Sequence, residues 1–223
     1  MADPEVYGQV FDRHAELGIH EGIRPHGSQA GTITFLTMRL RDSIPREVIH
    51  RWDRERIAFL QRCGVTDFKD WRDGRERLNP SDRARFEKQF RRARETCLDE
   101  CRGVCELEDP MNATIVAECL QRLDGERYHL GDYVIMPNHM HVLAVFPNQE
   151  RMTRQCASWM RYTARTINER IGREGLLWQS EAFDHLVRNE AQLNDLRDYI
   201  RENPSKANLK AGQFFYHASG GAF

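Results

Sequence analysis

Residues 132–147 read DYVIMPNHMHVLAVFP, and this stretch decides the fold. Apolar, β-rich runs flank Pro137-Asn138, a pair suited to a tight turn, which predicts two strands, RYHLGDYVIM and HMHVLAVF, joined there. Side chains alternate along a strand, so His139 and His141 share one face while Met140 and Val142 share the other. Two imidazoles so placed are either polar residues of a half-buried sheet or a pair able to converge on one ion. The pair alone leaves both readings open.

Working outward, ERMTRQCASWMRYTARTINERIG predicts a helix, EAFDHLVRN a strand, and AQLNDLRDYIRENP a helix that ends before Pro204. On the other side, DPMNATIVAECLQRLDG is a helix punctuated by an acidic residue and Pro at its start and Gly after its end. TITFLTMRL predicts the first strand, with RPHGSQAG before it read as a loop and little periodicity in the first thirty residues. From Pro45 onward the chain is highly charged and helical, with a break at LNPSD where Ser81 or Asp82 can cap a new helix. The expected fold is therefore α+β: a ferredoxin-like antiparallel sheet with helices packed on one face, plus a helical insertion. We expect a single domain over 1–223, its core at about 30–45 and 106–210 and the insertion at about 46–105.

Composition narrows the class. Of 223 residues, 40% are hydrophobic and 30% charged, without an apolar run long enough to cross a bilayer or a signal-peptide pattern, so a cytoplasmic protein with no membrane partner is expected. Lys and Arg number 33 against 34 Asp and Glu, so a nucleic-acid partner must be met by a local patch. The six cysteines are too sparse for a disulfide framework. Cys97, Cys101 and Cys105 are regularly spaced, but Phe86, Phe90, Ala93, Cys97, Cys101 and Val104 form one stripe at helical spacing, which favours core packing over a metal site.

Near the end, DYIRENP sets Tyr199 and Asn203 four residues apart, on one face of a helix. A third histidine in the strand alternation would suggest a histidine-triad nucleotide hydrolase, but position 143 is Leu143. An amidohydrolase opens on the same His-x-His pair, yet near the start of a barrel-sized chain.

Taken together, YVIMPNHMHVLAVFP, LLWQSEAFDHLVRNE and LRDYIRENPSKANL resemble, in order and spacing, the REP-associated tyrosine transposases of the HUH endonuclease superfamily. The resemblance is close from GERYHL to KANL and looser over GTITFLTMRL and DECRGVCELEDPMNATIVAECLQRL. It implies that His139 and His141 hold a divalent ion, Mg²⁺ or Mn²⁺, with Asn203 as third ligand, and that Tyr199 is the nucleophile. It further implies a DNA strand transferase and nuclease that cleaves and rejoins single-stranded DNA near hairpins through a 5′-phosphotyrosine, as a monomer or a homodimer. The intermediate would keep the bond energy, so no nucleotide cofactor is expected. Trp178, Gln179, Asp184 and His185 lie in the matched segment, either supporting the site or serving the architecture. Arg151, Arg154, Arg161 and Arg165 form one stripe on their helix, which is either a solvated face or a track for phosphates. The alternative function is a domesticated protein that binds hairpin DNA without transposition.

Overall fold

Asn and Asp side chains open most helices of the chain, and β-branched runs make its strands. The computed structural model describes residues 8–14, 18–21, 25–180 and 182–220, with 18–21, 25–28, 183 and 184 described by backbone alone. In chain order the elements are β1 (Gly18–Glu21), β2 (Pro25–Ser28), β3 (Ile33–Arg39), α1 (Arg46–Arg62), α2 (Trp71–Glu76), α3 (Pro80–Asp99), α4 (Pro110–Gln121), β4 (His129–Met136), β5 (His139–Val145), α5 (Gln149–Ile171), β6 (Phe183–Leu186), α6 (Glu190–Lys206) and β7 (Phe215–His217). They divide into two compact units, one made of 1–41 with 105–223 and the other of 42–104.

In the first unit, β6-β3-β5-β4-β7 form a five-stranded sheet in which every neighbouring pair is antiparallel. β5 is buried at every position and β4 at all but its first, which is why both strands read as continuous apolar runs rather than alternating ones. Paired residues share a face, so Arg39, Thr37, Val134, Met136, His139 and His141 lie on one side, and Met140, Val142 and Tyr133 on the other.

Helices α4 and α5 cover the second side. Gln121 Nε2 donates to Tyr133 Oη at 2.8 Å, and Arg170 ties α5 to α4 through Asn112 Oδ1 at 2.9 Å and Asp109 Oδ2 at 2.7 Å. This is the α+β class expected, with extra helices inserted. α6 brings Tyr199 to the first side, where its hydroxyl meets His141. A bulge between Leu130 and Tyr133 leaves Asp132 buried, and its Oδ1 accepts from Ser219 N at 2.8 Å and Ser219 Oγ at 2.7 Å, fastening the C-terminal segment to the sheet.

The second unit holds α1, α2 and α3. Asp70 caps α2 by accepting from Arg72 N and Asp73 N, and Asn79 caps α3 by accepting from Asp82 N with Pro80 behind it. Its core has two clusters, Ile44, Val48, Trp52, Cys97 and Leu98 in one and Phe59, Leu60, Leu78, Phe86 and Phe90 in the other. Gly74 lets α2 close on α1, since a Cβ there would stand 2.6 Å from Leu60 Cδ1. Gly103, at φ +96°, lets the two ends of the unit meet, and Val104 N donates to Asp42 O at 3.1 Å.

Several local expectations need correction. Part of RPHGSQAG is strand: β2 pairs with β1 in a separate hairpin whose backbone bonds, rather than any side-chain alternation, define it. α6 does not stop before Pro204 but runs through it to Lys206. The proline lies in the last turn, where its missing N–H leaves only the Ile200 carbonyl without an intrahelical donor, and its ring is buried. Asn79, not Ser81 or Asp82, caps α3. The cysteine stripe is helical only as far as Cys97, because α3 ends at Asp99 and Cys101 takes a positive φ of 49°.

Candidate active site

The turn at Pro137-Asn138 sets the register of the histidines. Asn138 O accepts from Leu40 N at 2.9 Å and Pro137 O from Leu107 N at 3.0 Å, so the turn is pinned from two directions. His139 then opens β5 opposite Met136 and Arg39, and His141 stands opposite Val134 and Thr37. Both imidazoles are buried, at 0% and 3% exposure.

Each ring has a partner at Nδ1. His139 Nδ1 lies 2.6 Å from Asn138 Oδ1, and His141 Nδ1 lies 2.9 Å from Thr37 Oγ1. An amide oxygen only accepts, so His139 carries its proton on Nδ1 and turns a lone pair outward at Nε2. Thr37 Oγ1 can donate or accept, and by accepting from Nδ1 it would give His141 the same tautomer. The two Nε2 atoms are 3.1 Å apart. Two nitrogens bound to one divalent cation at roughly 2.1 Å stand about 3.0 Å apart as octahedral neighbours, so the spacing suits a shared ion. Burial, and then the charge of Arg39, pushes His139 down to about 3. Burial, followed by His139 and His185, holds His141 well below the usual range. Both rings are therefore neutral at neutral pH, the form that binds metal.

Tyr199 completes the cluster. Its hydroxyl is 3.3 Å from His141 Nε2, and its ring centroid is 5.1 Å from that of His141. Phe35 backs both: it stacks on His141 at 5.2 Å and 18°, and meets Tyr199 edge-on at 6.2 Å. Lys206 Nζ sits 5.5 Å from the Tyr199 ring centroid, held by Glu202 at 3.2 Å. Asn203 follows Tyr199 by one turn of α6 and is fully buried.

The other residues singled out in the sequence fall elsewhere. The Asp184 side chain lies outside the described residues. His185 packs against Phe35 with centroids 5.2 Å apart. Trp178 and Gln179 brace the end of β3: Trp178 pairs with Leu40 and donates from Nε1 to Thr163 Oγ1 at 2.8 Å, while Gln179 donates from N to Arg39 O at 3.0 Å and from Nε2 to Arg41 O at 2.6 Å. Arg151, Arg154, Arg161 and Arg165 are exposed on α5, the helix that covers the side of the sheet opposite the histidines. Arg154 pairs with Glu150 at 2.6 Å. Trp159, on the inner face of the same helix, is 1% exposed and belongs to the core. Sequence reasoning missed Thr37 and Phe35, which reach the site only through the pairing of β3 with β5, and it gave Asn138 no role beyond the turn.

Fold and site together define an α+β protein whose antiparallel sheet carries a buried histidine pair at cation-binding spacing, with a tyrosine hydroxyl in hydrogen-bond reach. No family model and no curated protein matches the chain. Among solved structures, a REP-associated tyrosine transposase bound to a REP hairpin is similar at 15% identity, covering 84% of this chain and 73% of that one, with a TM-score of 0.41. This is a weak and partial likeness. Among the described residues, no helix is long and apolar enough to cross a membrane.

Proposed function

We propose that the protein is a metal-dependent single-strand DNA transposase and endonuclease, in which Tyr199 attacks a phosphodiester near a hairpin. The observation that carries this reading is the chain of contacts from Tyr199 Oη to His141 Nε2 at 3.3 Å and on to His139 Nε2 at 3.1 Å. The arrangement of motifs in the sequence, from MPNHMH to YIRENP, points the same way.

In this reading His139, His141 and Asn203 hold Mg²⁺ or Mn²⁺. Bound there, such an ion would supply charge neutralisation to the phosphate. The protein's own groups do the rest. Asn138 fixes the tautomer of His139, Thr37 holds the His141 ring at Nδ1, Phe35 fixes the ring planes, and α6 presents the phenol. Tyr199 Oη forms a bond to phosphorus as the bond to the departing 3′ oxygen breaks, and the proton lost by the phenol is matched by one gained at that oxygen. The products are a 5′-phosphotyrosine and a free 3′-hydroxyl. A second 3′-hydroxyl reverses the step on another strand without a nucleotide cofactor. Arg151, Arg154, Arg161 and Arg165, away from the histidine side of the sheet, suit a more distant part of the same strand. We read 1–223 as one transposase domain with 46–105 inserted.

The test is a denaturing gel. A pool of 3′-labelled single-stranded hairpins is incubated with the protein and Mn²⁺ or Mg²⁺, beside Tyr199→Phe. Label that migrates with the wild-type chain only, and only with metal, supports the mechanism. An equal adduct on the Phe variant removes Tyr199 from the role. Hairpin retention without any adduct would leave the domesticated binding protein as the better reading.

A further inference from the structure

The helical unit carries the charge that the rest of the chain lacks. Within 42–104, sixteen Lys and Arg stand against thirteen Asp and Glu, a net of +3, whereas the remaining residues hold seventeen against twenty-one, a net of −4. The excess is not spread evenly. A groove of about 920 Å³ runs between α1 and α3, and five cations line it: Arg51, Arg85, Lys88, Arg92 and Arg102. Only two acids, Glu55 and Glu100, join them.

Arg85, Lys88 and Arg92 follow one another at helical spacing along α3. Seven residues of helix span about 10 Å, roughly the rise of three phosphates on one nucleic-acid strand at 3.4 Å each. Lys88 and Arg92 are exposed and enter no ion pair among the described residues. Arg51 pairs with Glu55 at 3.7 Å and Arg102 with Glu100 at 2.9 Å, both acids of the groove itself. Such exposed pairs contribute little and yield readily to a phosphate.

The floor discriminates between occupants. Val48, Trp52, Phe59 and Cys97 line the groove, yet each keeps no more than 6% of its surface exposed. An amphipathic acidic helix needs an apolar strip to bury, and here that strip is already spent on the unit's own core. Accessible along it are the cationic head groups, the amide and hydroxyl of Gln89 and Thr96, part of Ala93 and the carboxylates of Glu55 and Glu100. The five cations, the amide and the hydroxyl are donors for phosphate oxygens and outnumber the two acids.

We propose that the α1–α3 groove is a docking track for a nucleic-acid phosphate backbone, separate from the histidine and tyrosine cluster. It rests on the preceding reading only in taking nucleic acid as the partner. The track reads no bases, so it would hold the stem of a folded strand irrespective of its sequence.

The test is fluorescence anisotropy with the whole chain and a 5′-labelled DNA hairpin of arbitrary stem sequence, in EDTA so that cleavage plays no part. Wild type is compared with Lys88→Gln/Arg92→Gln and with Arg54→Gln/Arg91→Gln, which removes the same charge from α1 and α3 outside the groove. We expect the groove variant to bind about tenfold more weakly at 0.1 M salt, and the slope of log affinity against log salt to flatten by about 1.8, two contacts' worth. The control variant should stay within about twofold of wild type. Unchanged melting temperatures show that all three are folded. Equal losses in both variants would mean general charge rather than a track, and no loss in the groove variant would remove the groove from binding; either overturns the proposal. So would a polyglutamate peptide that binds the groove more tightly than the hairpin does. Because the assay needs neither metal nor Tyr199, failure of the covalent adduct leaves its outcome untouched.

Discussion

The β4–β5 hairpin and the helical unit treat polar groups in opposite ways. The hairpin is buried almost throughout, yet keeps Asp132, Asn138, His139 and His141 inside, each with a hydrogen-bond partner. The helical unit sends nearly all its charge outward and keeps an aromatic and aliphatic interior, with Arg56 as its half-buried exception, lying 4.4 Å from the Trp71 ring centroid. Buried polar groups cost free energy unless paired, so each of these depends on a partner that the fold must hold in place. Exposed charge costs little and can be rearranged for binding.

That contrast can be broken most sharply at Tyr199. Its replacement by Phe removes one oxygen, and we expect adduct formation to fall at least a thousandfold while the melting temperature moves by no more than about 2 °C; parallel loss of both would make the residue a core element. Next comes metal. A hundredfold excess of Mn²⁺ over its Kd stabilises a binding site by about 2.7 kcal/mol, which calorimetry should register as an upward shift in wild type and none in His141→Ala. A shift that survives His141→Ala would place the ion elsewhere.

The third lever is pH. The unfolded His139 binds a proton near 6.5, while the folded one resists it until about 3, so the unfolded chain holds more protons in between. Stability contributed by its neutral burial is therefore complete above pH 6.5 and is lost as pH falls toward 3, by an amount on the order of several kcal/mol, and His141 adds in the same direction. Melting curves from pH 7 to 4 on wild type and His139→Gln should diverge, with the variant flatter; parallel curves would show that other groups govern acid unfolding.

In the helical unit the expected effects are smaller and leave cleavage alone. Gly74→Ala sets a methyl against Leu60 and should cost about 1–3 kcal/mol. Asn79→Ala removes the cap of α3 and should cost about 1 kcal/mol. Urea titration measures both, with the adduct assay as the control.

Much of this was legible in the sequence where local rules suffice. The Pro-Asn turn and the two apolar runs define β4 and β5, and the His-x-His spacing puts both rings on one face. What the sequence withheld depends on pairing between distant segments. Thr37 is one threonine among several in TITFLTMRL until β3 aligns it with His141. The arginine stripe of α5 is visible as a stripe, but nothing local says that α5 covers the side of the sheet away from the histidines. Pro204 reads as a helix end because its neighbour is disfavoured in helical geometry, yet burial of its ring in the last turn of α6 outweighs that preference. β1 and β2 are short and carry turn-forming glycines, so no periodicity announces them.

Phe35 carries a last consequence. Wedged against His141, His185 and Tyr199, it leaves those rings little room to turn about their own bonds. Rotational freedom that loose side chains would surrender on meeting a substrate is given up here when the strand and α6 come together. Under the proposed function, a phosphate reaching this pocket would encounter its partners at a high effective molarity, and the rigidity of one phenylalanine would become a kinetic property of the whole cluster.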